Sequence, residues 1–123
     1  MIRTYPRPAF LAVALLAGGL LSITARAQTP ATWVNPVDGN WTDATRWSTN
    51  PLFPNNTGPT YNAFIDQTGA PYTVTLDQGI TVTDLHLTSS DAILDLTPNN
   101  LVVAGDFFQA SARLRGSSTG GTL

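Results

Sequence analysis

No cysteine, lysine or glutamate occurs in the 123 residues, and histidine and methionine appear once each. Without cysteine there is no disulfide staple, although small extracellular domains commonly depend on one. Lipid attachment through a cysteine is excluded as well. A lone histidine, His86, with no thiol beside it cannot build a zinc site. The absence of Lys and Glu removes two strong helix formers. What remains is rich in Thr, Asn, Asp, Gly and Pro, the residues of strands and tight turns. The length allows one domain at most.

The first residues differ in character from the rest. Met-Ile-Arg-Thr-Tyr-Pro-Arg-Pro carries Arg3 and Arg7 and no acid, and Ala9 to Ile23 is an uncharged apolar run. Thr24-Ala-Arg-Ala27 follows, with Ala25 and Ala27 at the two positions a signal peptidase reads. This order of segments predicts a secretory signal peptide over 1–27 and cleavage before Gln28. A membrane anchor is disfavoured, because a span needs about 20 apolar residues and this run is shorter and contains Gly18-Gly19. Arg3 and Arg7 are not adjacent, which disfavours a twin-arginine route. The expected location is outside the cytoplasm: periplasmic, cell-surface or extracellular.

Loss of the leader would remove Arg3, Arg7 and Arg26, leaving Arg46, Arg113 and Arg115 against eight Asp, a net charge of −5. Such a domain offers no basic surface to nucleic acid or anionic lipid.

Residues 28–60 hold all three tryptophans, Trp33, Trp41 and Trp47, among five prolines and several Asn and Gly turn signals. No helical or alternating period survives there. Short strands and ordered loops pinned by aromatic anchors are expected. From Tyr61 the pattern changes to alternation. Tyr72, Val74 and Leu76 share one face, then Leu85 and Leu87, Leu94 and Leu96, and Leu101 and Val103, with turn chemistry between the runs. A period of two predicts half-buried strands. From Leu85 to Leu101 the unit recurs every seven to nine residues. Strands this short and evenly spaced predict an all-β fold, a short right-handed parallel β-solenoid; a small β-sandwich is the alternative.

The order of motifs resembles the opening of bacterial extracellular β-solenoid proteins, the autotransporter-associated β-strand repeat proteins and related surface proteins with a C-terminal sorting segment. Trp33 and then Gly39-Asn-Trp-Thr-Asp-Ala-Thr-Arg-Trp-Ser48 carry the likeness, followed by the loop Pro51–Pro59. Ala63-Phe-Ile-Asp66, Tyr72-Thr-Val-Thr-Leu-Asp77 and the Leu85-His-Leu87, Leu94-Asp-Leu96 and Leu101-Val-Val103 rungs complete it. The likeness spans nearly all of 28–123. It implies a Trp-rich N-terminal cap over 28–60 and solenoid coils over 61–123. Such proteins run much longer, and Gly-Gly-Thr-Leu123 reads as the start of another rung, so coils incomplete at the C-terminus and self-association through that edge are expected.

The candidate sites divide accordingly. Trp33, Trp41 and Trp47 are expected to cap the first coil; the competing reading makes them a glycan-stacking platform, which needs exposed indole faces. The Asp residues are spread along the chain without a D-x-D-x-D-G loop, so turn-forming roles are expected rather than metal binding or lyase chemistry. Asp84, His86, Ser89 and Ser90 lie close in sequence, but no nucleophile elbow precedes either serine. His86 should face outward between Leu85 and Leu87. Asn40-Trp-Thr42 and Asn55-Asn-Thr57 match the glycosylation tripeptide, a pattern common by chance. No cofactor or metal is expected. The function expected is a non-catalytic structural or adhesive module, with a surface glycan or matrix as its partner class. A carbohydrate-binding module or a fragment of a polysaccharide-processing enzyme are the alternatives.

Overall fold

The computed structural model describes residues 27–116. The signal-peptide segment through Arg26, including Ala25 of the cleavage motif, and the last seven residues lie outside the described residues; Ala27 and Gln28 are exposed.

Among the described residues ten short strands form in chain order: β1 (Thr29–Thr32), β2 (Gly39–Asn40), β3 (Tyr61–Ile65), β4 (Tyr72–Thr75), β5 (Ile80–Val82), β6 (Asp84–Leu87), β7 (Ala92–Asp95), β8 (Leu101–Val103), β9 (Phe107–Gln109) and β10 (Arg113–Arg115). The helical content of the described residues is one 3-10 turn, Ala44–Arg46. The described residues are all-β, as their alternation predicts.

These strands make three parallel sheets. The first has the order β1-β3-β6-β9, the second β2-β4-β7-β10, and the third β5-β8. From β3 onward the chain visits the sheets in strict rotation, one strand in each. The register follows the same rotation. In the first sheet Asn62 pairs with Asp84 and Leu85 with Phe107, a step of 22 residues. In the second Tyr72 pairs with Ala92 and Ile93 with Arg113, a step of 20. In the third Ile80 pairs with Leu101, a step of 21. Parallel neighbours need a long return connection, usually a helix. Here the return runs through strands of the other two sheets.

The parallel register places like residues above like. Ala31, Ala63 and Leu85 stack inward in the first sheet, Val74 and Leu94 in the second, Ile80 and Leu101 in the third, all fully or almost fully buried. Together with Tyr72, Leu76, Leu87 and Leu96 they form one core between the sheets. Burial of each Val, Leu or Ile side chain in it contributes about 1.5–3 kcal/mol relative to exposure.

The segment 28–60 does more than cover an end. Its β1 and β2 already belong to the first and second sheets, pairing with β3 and β4. The chain then folds back over the open edges. Val34 N–H donates to the Arg46 carbonyl and Ser48 N–H to that of Thr32, both at 2.8–2.9 Å, so residues 46–48 cover β1. Asn56 N–H donates to the Thr81 carbonyl at 2.7 Å and Thr81 N–H to Asn55 Oδ1 at 3.0 Å, so the proline loop covers β5. An uncovered edge is a template for pairing. At this end of the sheets, the edges of β1 and β5 are covered.

Candidate functional site

The three indoles lie together beneath the first strands. Trp33, Trp41 and Trp47 are 0%, 0% and 1% exposed. Trp33 meets Trp47 edge-on with centroids 5.1 Å apart, and Trp41 lies 4.7 Å from Trp47. Each ring N–H has a backbone acceptor: Trp41 donates to the Pro54 carbonyl at 2.8 Å, Trp47 to that of Trp41 at 2.7 Å and Trp33 to that of Val37 at 3.2 Å. Apolar bodies are buried while the polar tips are satisfied. A sugar ring would need an open face, and these rings present none.

The aspartates act at the turns. Asp38 Oδ1 accepts from Thr73 N–H at 2.7 Å, Asp84 Oδ1 from Asp106 N–H at 2.8 Å and Asp91 Oδ2 from Gly69 N–H at 2.9 Å. Asp77 accepts from both the N–H and the hydroxyl of Thr42. Each of these bonds joins one strand level to the next. Asp43 caps the 3-10 turn by accepting from the hydroxyl and N–H of Thr45, and those bonds, with Arg46 nearby, hold its carboxyl below the usual carboxylate range. Asp95 is lowered in the same direction by the Thr97 N–H and by Arg115, whose Nη1 lies 3.2 Å away. Among the described residues no group of three or more acids and histidines is placed to hold a metal ion.

Asp84, Ser89 and His86 do not converge. The Ser89 hydroxyl is buried, donating to the Gln67 carbonyl at 2.5 Å and accepting from Asp91 N–H at 3.1 Å, while Asp84 serves Asp106. His86 faces outward, as its place between Leu85 and Leu87 predicts, and its neighbours are rings. It stacks on Phe64 at 4.6 Å with an angle of 9° and lies 6.3 Å from Phe108 at 41°.

Phe64, His86 and Phe108 form one outward row because each occupies the same register position on β3, β6 and β9. Strand-by-strand alternation puts each of them outward but says nothing of their alignment; the 22-residue step was the signal that would have revealed it. Phe108 is 54% exposed, among the largest apolar surfaces of the described residues.

Cavities are shallow and poor in chemistry. One, about 470 Å³, is lined by Ala27, Gly58, Pro59 and Thr60. A second, about 300 Å³, lies between the proline loop, Tyr61 and Gln78. Among the described residues, neither lining includes a carboxylate, a histidine or an arginine. A third, about 270 Å³, has Asp91 and Arg113 on its rim, but that carboxylate already accepts from Gly69 N–H. Comparisons with family models, with curated proteins and with solved structures return no match. The functional reading therefore rests on the geometry of this chain.

Proposed function

We propose that the chain is a non-catalytic, exported β-solenoid module with a structural or adhesive role. The observation that carries this reading is the near-constant register step: 22, 20 and 21 residues in three sheets that the chain visits in rotation. Repetition of a unit about 20 residues long, each contacting its neighbours, is the pattern of a solenoid. A hairpin-built sandwich would show antiparallel ladders, whereas every pairing between the named strands is parallel. Solenoids need an end cap, and the folded-back 28–60 segment with its buried indoles supplies one. Export follows from the leader-like sequence of 1–27.

The polar inventory favours scaffold over catalysis. Several of the carboxylates that a lyase or hydrolase would need are engaged on backbone N–H groups at turns, and the outward histidine is packed between aromatic rings. Buried indoles likewise weigh against a Trp-based carbohydrate platform.

Incubation of the chain with a panel of acidic and neutral polysaccharides, with reducing ends and unsaturated products measured, tests this reading. No turnover is expected. Product formation that disappears in Asp91→Asn or Asp84→Asn would overturn it in favour of an enzyme.

A further inference from the structure

We propose that the outer face of the first sheet docks an extended, arginine-bearing segment of a partner protein. The basis is the register of that sheet. Its central outward row is Phe64, His86 and Phe108. On one side of it stand Asp84, two residues before His86 on β6, and Asp106, two residues before Phe108 and just ahead of β9, with the Asp106 N–H donating to Asp84 Oδ1; the corresponding residue on β3 is Asn62. On the other side, just past β3, is the exposed Asp66. An aromatic row is thus bordered by carboxylates on both sides.

None of the arginines among the described residues belongs to this sheet. Arg46 is in the 3-10 turn beside Asp43 at 3.5 Å, and Arg113 and Arg115 are on β10 of the second sheet. No arginine among the described residues is therefore placed on this face, and the residues after the leader-like segment are acidic overall. Charge complementarity selects a cationic occupant.

Ring geometry narrows it further. Phe64 and His86 turn their facing surfaces to each other, so a neutral sugar finds no open pair of coplanar faces. Phe108 ends the row among the described strands and is tilted 41° from His86, which leaves ring surface available. A planar guanidinium stacks on such a ring and can also bond a carboxylate with two parallel N–H groups; a lysine ammonium does neither as well. Arginine is the side chain that uses both features of this face.

The proposal names the partner chemistry of the adhesive reading and takes from the solenoid reading only the register that aligns the row. Fluorescence anisotropy with a labelled peptide of alternating Arg and Thr, and with Lys and Asp versions of it, tests the face on the full chain. The Arg peptide is expected to bind more tightly than the Lys peptide, and the Asp peptide not at all. Phe108→Ala should weaken the Arg peptide roughly two- to fivefold. Asp106→Asn should weaken it and flatten its salt dependence, while Asp95→Asn, on β7 of the second sheet, should leave it unchanged. Thermal melts of each variant establish that the fold is intact; Phe108 is exposed, so its truncation leaves the core in place. Equal binding of Arg and Lys peptides with no effect of Phe108→Ala would reduce the attraction to net charge and overturn the proposal. Absence of binding with an unchanged melt would overturn it too, without touching the solenoid reading.

Discussion

Trp47 donates its indole N–H to the carbonyl of Trp41 at 2.7 Å while the two rings pack 4.7 Å apart. Two residues six apart in sequence thus close a small core, and Trp41 in turn reaches Pro54. Trp41→Ala and Trp47→Ala are each expected to cost about 3–5 kcal/mol, the range for emptying a large aromatic site. With typical domain stabilities of about 5–15 kcal/mol, either variant is expected to lower the denaturant midpoint severely. Trp47→Phe retains most of the ring but removes the donor, and should cost less. Urea unfolding followed by circular dichroism separates the three.

Gly105 is expected to be intolerant of a side chain. A Cβ there would sit 2.5 Å from Asp84 Oδ1 and 3.0 Å from the Thr83 carbonyl. The carboxylate could rotate away, but it would then release Asp106 N–H, and the carbonyl belongs to the backbone. Gly105→Ala should destabilise by about 1–3 kcal/mol, as overpacking does. Gly58→Ala, whose added Cβ would meet no atom within 4 Å beyond its chain neighbours, serves as the control and should be near neutral by thermal melt.

Stability should fall in acid. Asp43 and Asp95 have folded pKa values below their ordinary ones, through Thr45 and Thr97 respectively. A lowered folded value means that the unfolded chain binds protons first as pH drops. Their contribution is therefore present above about pH 4 and is lost as pH falls through the folded values. Melting temperature is expected to be level from about pH 7 to 5 and to decline below about 4. In Asp95→Asn the decline should be shallower; an unchanged slope would contradict the assignment for Asp95.

Inward and outward assignment was legible in the sequence wherever strands alternate. Tyr72, Val74, Leu76, Leu94 and Leu96 are buried, and His86 points out, because a period of two fixes the face once a strand forms. Pairing was less legible. The spacing of seven to nine residues marks single strands, and only the register shows that three of them make one step of 20 to 22. The row Phe64, His86 and Phe108 was hidden for that reason. Nor could the acceptors of the indoles be read: the Pro54 carbonyl lies in an irregular loop whose path no periodicity describes. Turn roles for Asp were foreseeable from side-chain chemistry, but not that Asp38, Asp77 and Asp91 would each bridge to a neighbouring strand level.

The central claim is that three sheets advance together by one repeat, and a cysteine-free chain allows it to be measured directly. Spin labels on the pairs Phe64→Cys/His86→Cys, Thr73→Cys/Ile93→Cys and Thr81→Cys/Val102→Cys place one reporter pair in each sheet at matched register. Neighbouring strands are about 4.8 Å apart. Strong dipolar broadening is expected in all three pairs in the same folded protein, whereas broadening in one sheet with none in the others would contradict the repeating coil.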